Sequence, residues 1–284
     1  MSVFYFCLCA VVIGVVEGIT EWLPISSTGH MILIDDLLLM KEGVSEDFYQ
    51  FFLVAVQLGA ILAVLVLYFE RLNPWSGRKT AFEKRRVTRL WRRVLVGVLP
   101  AALIGIPLDN FIETHFYGFP VIAAALLLYG IAFIVIERGK KGSIDRVESV
   151  YELSYRDALL IGCFQALSLI PGTSRSGSTV LGGMLLGVSR TASAEFSFFM
   201  ALPVMLGASL VRGVKFFVSG AGISGIELWV LLLGTLAAFL VSLVTIRFLM
   251  NFVKHHSFEV FGWYRIALGI LVLVFAFVLK FPTV

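Results

Sequence analysis

Long apolar segments are the feature of this sequence that most constrains its fold. Residues 51–69 form an apolar run interrupted by Gln57, and similar runs occupy 94–108, 119–136, 196–211, 226–246 and 258–279. A helix needs about 20 residues to cross roughly 30 Å of hydrocarbon. The composition agrees, because 59% of the residues are hydrophobic and only 15% are charged, against about 25% charged in soluble domains. We therefore predict an all-α polytopic integral membrane protein with six full spans, which excludes a soluble or disordered chain.

Two further apolar segments are interrupted by polar residues. The first, 3–16, leads into a break at 22–30, and the second, 158–170, leads into a break at 171–179. Each break contains proline, glycine and several hydroxyl side chains, and each arm is expected to be too short to cross a bilayer. We interpret both as re-entrant broken-helix hairpins, because irregular backbone at membrane depth must be buried in protein or line a cavity. Two ordinary kinked spans remain the alternative.

The two halves of the chain resemble each other. Gly14 matches Gly162, and Gly59 matches Gly207, both at an offset of 148 residues. Each half is a broken hairpin followed by three spans, and this odd number of crossings predicts two inverted-topology repeats. Within a single membrane domain, 1–284, the predicted boundaries are 1–140 for repeat one (hairpin 3–40, spans about 48–69, 94–112 and 119–136) and 157–284 for repeat two (hairpin 158–188, spans about 192–217, 226–249 and 258–280).

The distribution of lysine and arginine predicts the orientation. The 71–93 loop carries nine basic residues and the 137–157 loop carries five, whereas 113–119 carries none. The positive-inside rule places both basic loops in the cytoplasm, so we expect the two termini outside and the active site open to the outer face. The same rule, rather than nucleic-acid binding, explains the net charge of +4. The N-terminal segment lacks the basic flank and cleavage site of a removed signal peptide.

Ionisable side chains at membrane depth are functional candidates because burying them is costly. Glu17 and Glu21 are one helical turn apart, so their carboxylates favour a divalent cation or a shared proton between them. A helix end that reaches water is the alternative. His30 is suited to proton transfer near neutral pH, and Ser26 and Ser27 are either nucleophile candidates or helix caps.

The second break has the composition of an anion-binding site. Gly172 allows the backbone to turn, Ser174, Ser176 and Thr179 offer hydroxyls, and the helix that follows presents free N–H groups. Arg175 supplies a forked charge that suits phosphate oxygens, or it pairs with a glutamate of the first break. The two breaks together provide what phosphoryl transfer needs, and a phosphate ester within a bilayer implies a lipid substrate.

The remaining charges in apolar surroundings are expected to be structural. We expect Arg190 and Glu195 to pair or to reach the membrane interface, and Asp35 and Asp36 to reach water. Arg265 is expected to reach the interface or to stabilise an internal acid.

The two motifs resemble the signatures of a bacterial family. Glu17-x-x-x-Glu21, followed by 24–30 (Pro-Ile-Ser-Ser-Thr-Gly-His) and 171–179 (Pro-Gly-Thr-Ser-Arg-Ser-Gly-Ser-Thr), is similar to the undecaprenyl-diphosphate phosphatase family associated with bacitracin resistance, along essentially the whole chain. This resemblance implies hydrolysis of undecaprenyl diphosphate to undecaprenyl phosphate and inorganic phosphate, which recycles the lipid carrier for peptidoglycan at the bacterial cytoplasmic (inner) membrane. It also implies a requirement for Mg²⁺ or Ca²⁺, and it leaves a homodimer open.

The resemblance suggests a role for each residue of the motifs. Glu17 and Glu21 hold the metal or organise protons, and Ser27 attacks with His30 as its proton partner, although His30 or water remains open as the nucleophile. Arg175 is expected to be catalytic and to clamp the diphosphate. The substrate-binding residues are expected to be Ser26, Gly172, Ser174, Ser176 and Thr179. A polyprenyl-phosphate flippase or transporter is the main alternative function, since inverted repeats also suit transport. A different integral lipid phosphatase, of the acid-phosphatase type, is a weaker one.

Overall fold

The fold is entirely helical over the residues described by the computed structural model, which are 3–38, 44–140, 142–220 and 222–278. Eleven α-helices follow one another in this part of the chain: α1 Val3–Thr20, α2 Ser27–Leu38, α3 Glu46–Leu67, α4 Phe69–Leu72, α5 Ala81–Phe116, α6 Phe119–Gly139, α7 Tyr155–Ala166, α8 Arg175–Leu185, α9 Arg190–Val218, α10 Gly225–His255 and α11 Glu259–Val278. A 3₁₀ turn, Leu167–Leu169, follows α7. The prediction of an all-α polytopic membrane protein is confirmed.

Seven of the described helices are long and apolar enough to cross a membrane, one more than the sequence predicted. The additional one is α1, whose 18 residues include Glu17 and extend beyond the apolar run that ends at residue 16. The expectation that every hairpin arm is too short is therefore wrong for α1. The other arms, α2, α7 and α8, have only 12, 12 and 11 residues.

The basic segment 71–93 is largely helical rather than a loop. Helix α5 begins at Ala81, well before the predicted span at 94, because Thr80 and Glu83 form a reciprocal capping box at its start. The arginines and lysines that follow have high helix propensity. The predicted loop is wrong for this reason, whereas the span predicted from residue 94 lies within α5, and the other five predicted spans overlap α3, α6, α9, α10 and α11.

Matching glycines allow each broken hairpin to pack closely against a helix of the other half. Gly14 of α1 lies against α10, where an added Cβ would overlap the carbonyl oxygen of Gly234. Gly162 of α7 lies in the same way against Gly97 of α5. Small residues permit this backbone approach where helices associate within a membrane.

A second pair of matching glycines differs and leaves a cavity on one side. Gly59 of α3 packs against Thr235 of α10, and no Cβ would fit there. Its counterpart Gly207 on α9 has open space beside its Cα. A cavity of about 1080 Å³ occupies the space between α9 and α5.

The peripheral charges do not pair as predicted. Arg190 donates to Glu137 of α6, with an Nη2–Oε2 distance of 2.6 Å, and Glu195 accepts from Arg71. Each residue therefore binds a different element, and the pairing of Arg190 with Glu195 is wrong. The side chains of Asp35 and Asp36 lie outside the part that the structure describes, so their contact with water stays a prediction.

Candidate active site

The two breaks share one local geometry. Ser26 and Ser174 are the two described non-glycine residues with positive φ, 74° and 71°, and each immediately precedes a helix. The Ser26 hydroxyl accepts a hydrogen bond from the Gly29 N–H (3.3 Å), and Ser174 accepts one from Gly177 (3.1 Å). Both serines thus cap a helix, which is one of the two roles predicted for Ser26.

The first residues of the two capped helices contact the same carboxylate. Ser27 begins α2 and donates its hydroxyl to Oε2 of Glu21 (3.1 Å). Arg175 begins α8 and donates to Oε1 of Glu21 through Nη2 (3.0 Å) and Nε (3.2 Å). Glu21 is almost completely buried. The predicted acid–arginine pairing is thus found at Glu21, with the candidate nucleophile Ser27 on the opposite carboxylate oxygen.

Glu17 lies one turn away from Glu21 and is also buried. Its Oε1 atom has no hydrogen-bond partner among the described residues. An unsatisfied buried carboxylate oxygen is costly. The Oε1 atom of Glu17 is therefore a candidate to accept a proton or to bind a cation.

The hydroxyl groups of Ser176 and Thr179, also in the second break, form hydrogen bonds to other parts of the protein. Ser176 donates to the backbone carbonyl of Glu21 (3.1 Å), which ties α8 to the first break. The Thr179 hydroxyl lies within hydrogen-bonding distance of the Ser197 hydroxyl of α9 (2.7 Å) and of the Arg175 carbonyl oxygen (2.9 Å). Both side chains are buried and lie outside the cavity lining, so in this arrangement they position Arg175.

His30 is not placed beside Ser27's hydroxyl. Its Nδ1 atom lies 2.7 Å from the backbone oxygen of Ser26, and its Nε2 atom lies 2.7 Å from the Tyr264 hydroxyl, whose ring is stacked on the imidazole. Both ring nitrogens are therefore occupied, and the proton acceptor nearest to Ser27 is Glu21. Tyr264 was not predicted as a site residue because it lies in neither sequence motif.

Arg265 joins the two breaks and was also missed as a site residue. It is fully buried in α11, and its guanidinium donates to Pro24 O (3.2 Å) in the first break and to Gly172 O (2.8 Å) and Thr173 O (2.9 Å) in the second. The prediction that Arg265 stabilises an internal acid or reaches the membrane interface is therefore wrong, because its partners are these backbone carbonyl groups. Carbonyl groups freed by a break at membrane depth need donors, and that requirement was the available signal.

The large cavity ends at this cluster of residues. Of the predicted site residues, those that line it are Glu21, Ser27, Gly172, Ser174 and Arg175, and Gln57 and Gln165 line it as well. Glu17, Ser26, His30, Ser176 and Thr179 do not line it. Gly172 has a φ of +88°, and an added Cβ would overlap the Ile122 carbonyl oxygen, so only glycine suits this turn.

The cavity walls change in character towards the surface. The polar residues at the inner end form the floor of the cavity. Next to this floor lie small and apolar residues of α5 and α9, including Ala102, Gly105, Gly207 and Ala208. At the opposite end Arg212 donates to Gln50, and Lys215, Glu46 and Asp47 complete a charged rim. Among the described residues no group of three or more His, Cys, Asp or Glu side chains could hold a metal ion.

Proteins of several bacteria are similar to this chain over nearly its whole length. Undecaprenyl-diphosphatase of Streptococcus mutans serotype c is 51% identical over 272 residues, which cover 96% of each chain. The undecaprenyl-diphosphatase of Lactiplantibacillus plantarum is 50% identical, with coverage of 93% of this chain and 95% of the relative. That of Enterococcus faecalis is 48% identical over 92% and 94%.

A family model gives the same assignment. The model described as bacitracin resistance protein BacA matches residues 10–271, a range that includes both breaks and the helices that hold them. The chain therefore belongs to the bacitracin resistance protein BacA family.

Proposed function

We propose that this protein hydrolyses undecaprenyl diphosphate to undecaprenyl phosphate and inorganic phosphate, and so recycles the lipid carrier for cell-wall synthesis with resulting bacitracin resistance. The observation that carries this proposal is the buried Glu21 carboxylate, held between Ser27 and Arg175 at the floor of the cavity. The family assignment and the names of the relatives support the same reaction.

The arrangement suits attack by Ser27 on the terminal phosphorus. Glu21 accepts the Ser27 proton as the Oγ–P bond forms, and Arg175 exchanges its bond to Glu21 for the phosphate oxygens. The bond from phosphorus to the bridging oxygen breaks and releases the prenyl monophosphate. Water then hydrolyses the phosphoserine, which releases inorganic phosphate and restores the hydroxyl.

The N-termini of α2 and α8 add to the attraction for an anion. Ser27 and Arg175 are the first residues of these helices, whose free N–H groups and dipoles favour negative charge. Ser26 and Ser174 cap the same helices, while Ser176, Thr179 and His30 hold their position through buried or stacked contacts. In this proposal the catalytic contacts belong to Glu21, Ser27 and Arg175.

A divalent cation fits the residues around Glu17. The orphaned Glu17 oxygen and the Glu21 carboxylate are hard oxygen donors of the kind that Mg²⁺ or Ca²⁺ prefers. Two carboxylates are enough for Mg²⁺ when substrate phosphates complete its coordination. When bound there, the cation neutralises charge on the diphosphate.

The apolar walls suit the prenyl chain of the substrate. Ile106 of α5 and Val211 of α9 line the cavity and are also 80% and 56% exposed on the outside of the protein. The space beside Gly207 connects the exposed walls at Ile106 and Val211 to the polar floor of the cavity. The diphosphate then lies at Arg175 while the hydrocarbon chain passes between α5 and α9 into the bilayer.

Inverted repeats and an outward opening complete the proposal. The packing of α1 on α10 and of α7 on α5 is reciprocal between the halves, as a pseudo-twofold axis requires. The cavity rim lies near the start of α3 and the ends of α5 and α9, at the opposite ends of α3 and α5 from the basic segment 71–93. The positive-inside rule then places the cavity opening and both termini outside the cytoplasmic membrane. Assembly as a homodimer stays a prediction.

Phosphate release by the purified protein tests the reaction. With undecaprenyl diphosphate and Mg²⁺, the wild-type chain is expected to release one phosphate per lipid, and Ser27→Ala is expected to lose at least about 100-fold in turnover. Near-normal turnover by Ser27→Ala would exclude the serine as nucleophile in favour of water. Absence of release by the wild type, together with movement of the carrier across liposomes, would favour transport.

Metal removal tests the role of Glu17. EDTA is expected to abolish phosphate release and Mg²⁺ to restore it, and Glu17→Gln is expected to raise the Mg²⁺ concentration for half-maximal rate roughly 10-fold or more. Glu46→Gln, a carboxylate on the cavity rim, serves as the matched control. An unchanged Mg²⁺ requirement in Glu17→Gln would remove Glu17 from the metal site.

A further inference from the structure

Gln165 is the counterpart of Glu17 in the second half of the chain, 148 residues later. It lies near the end of α7, is 1% exposed, and lines the same cavity as Glu21 and Arg175. Neither its Nε2 nor its Oε1 atom has a hydrogen-bond partner among the described residues. A buried amide that satisfies neither its donors nor its acceptor destabilises the protein unless something occupies the space beside it.

The amide group of Gln165 and its place in the cavity with Arg175 indicate which ligand it binds. The amide nitrogen provides two donors without adding negative charge, which suits a phosphate oxygen beside Arg175, whereas a second carboxylate there would repel the diphosphate. We infer that Gln165 is a substrate-binding residue that donates from Nε2 to the diphosphate. This inference rests on the proposed function and adds to it a residue outside both sequence motifs.

Substitution by leucine separates a binding role from a structural one. Gln165→Leu keeps the approximate volume and removes an unsatisfied polar group, so its melting temperature is expected to equal or exceed that of the wild type. Its KM for undecaprenyl diphosphate is expected to rise roughly 10- to 100-fold, the loss typical of a hydrogen bond to a charged group. Gln165→Glu is expected to bind the diphosphate more weakly still, through charge repulsion.

Ser242→Ala provides a matched control away from the cavity. Ser242 of α10 is also buried, and its hydroxyl also lacks a partner among the described residues. Its substitution is expected to leave KM unchanged. A lower melting temperature with unchanged KM in Gln165→Leu would overturn the inference, whereas a wild-type protein that releases no phosphate would overturn the proposed function instead.

A second, independent observation concerns a basic groove on the first helical turns of α5. The groove has a volume of about 390 Å³ and is lined by Lys84, Arg85, Thr88, Arg89, Arg92 and Tyr155. None of its four cations belongs to an ion pair between described residues. Concentrated positive charge without acidic partners favours an anionic ligand.

The surroundings of the groove point to a lipid. Phe82, Arg85, Arg89 and Arg92 follow the spacing of one helix face, and Phe82 is 74% exposed at the end of this stripe. Exposed aromatic side chains beside basic ones are characteristic of the lipid headgroup region. We propose that this groove binds the phosphate headgroup of an anionic phospholipid, such as phosphatidylglycerol.

Lipid titration of the full chain tests this site. In native mass spectrometry of delipidated protein, phosphatidylglycerol is expected to bind more tightly than phosphatidylcholine, and Arg85→Gln/Arg89→Gln is expected to weaken that preference about 10-fold or more. Arg247→Gln/Lys254→Gln, which removes two exposed charges outside the groove, is expected to keep it. The proposal would be overturned if the Arg85/Arg89 double variant kept the same preference for phosphatidylglycerol over phosphatidylcholine as the Arg247/Lys254 double variant. Full displacement of the lipid by millimolar inorganic phosphate would also overturn it.

Discussion

The two polar breaks have the same backbone and opposite chemistry. Each begins its second helix after a serine in the left-handed region, and that serine caps the N–H three residues later. The residue after the serine is Ser27 in one break and Arg175 in the other, and both bind Glu21. Before its break, the first hairpin has Glu17 and Glu21, whereas the second hairpin has Gln165 and Leu169 at the matching positions.

This difference shows how a repeated scaffold gives an asymmetric site. Two copies of the acidic break would bring four carboxylates together and repel a diphosphate, while two basic breaks would lack a proton acceptor. The acid and hydroxyl come from one half and the guanidinium from the other. The site is complete only when the two halves meet, so its integrity depends on the groups that join them.

Removal of the charge of Glu21, which both breaks contact, is expected to have the largest effect on activity. Glu21→Gln is expected to lower phosphate release about 10²- to 10⁴-fold, because Ser27 loses its proton acceptor and Arg175 its partner. The rate is measured with undecaprenyl diphosphate at saturating Mg²⁺. The control Glu46→Gln should retain most of the activity, and comparable losses in the two variants would contradict the assigned role.

Removal of Arg265 tests the link between the breaks. Arg265→Met leaves the carbonyls of Pro24, Gly172 and Thr173 without this donor, which is expected to cost about 3 kcal/mol of unfolding free energy. Activity should fall as the breaks separate. The measurement is thermal unfolding in detergent, with Arg138→Met, a largely exposed arginine, as the control; equal melting temperatures would show that Arg265 does not hold the breaks together.

The twin serines allow the shared geometry to be measured directly. Ser26→Gly and Ser174→Gly each relieve a positive φ and lose a helix cap, so each is expected to change the unfolding free energy by less than about 1 kcal/mol. The sign and size should agree between the two variants. A large difference in their melting temperatures would show that the two backbones are not energetically equivalent.

The smallest expected effect comes from Asp157 in the first turn of α7, where the second hairpin begins. Burial acts to raise the pKa of the Asp157 carboxyl, but hydrogen bonds from Arg146 and Ser154 outweigh it and hold this pKa below its usual value. A lowered folded-state pKa stabilises the fold above about pH 4, and this contribution is lost as the pH falls further.

Replacement of Asp157 should reveal that dependence. Asp157→Asn is expected to lose about 1 kcal/mol or less near neutral pH, and its melting temperature should approach that of the wild type as the pH falls below about 4. A constant difference across this range would show that the charge of Asp157 contributes nothing.

The sequence was sufficient to predict those features that depend on hydrophobic length and local motif. Five spans, both breaks and the Glu21–Arg175 pairing followed from apolar runs, proline and glycine positions, and the cost of buried charge. The segment 71–93 was predicted as a loop because it is too polar for a span, but the capping box at Thr80 and Glu83 starts helix α5 within it. The length of α1 was wrong because the helix continues through Glu17.

Contacts between distant segments could not be predicted in this way. Arg265 is 241 residues from Pro24 along the chain, and its role depends on carbonyl groups, which every residue has. His30 was predicted as the partner of Ser27 from proximity in sequence, yet helix geometry directs it to Tyr264, 234 residues away. Such pairings depend on how helices pack, which a local motif does not determine.

In the proposed reaction, the exposed walls at Ile106 and Val211 also provide a separate path for each of the two products. Undecaprenyl phosphate keeps its hydrocarbon chain between α5 and α9 and diffuses sideways into the bilayer without crossing water. Inorganic phosphate, which is small and charged, leaves past Arg212 and Lys215 at the charged rim. With separate exits, the lipid never has to be extracted from the membrane, and the phosphate that forms second leaves without passing the hydrocarbon chain.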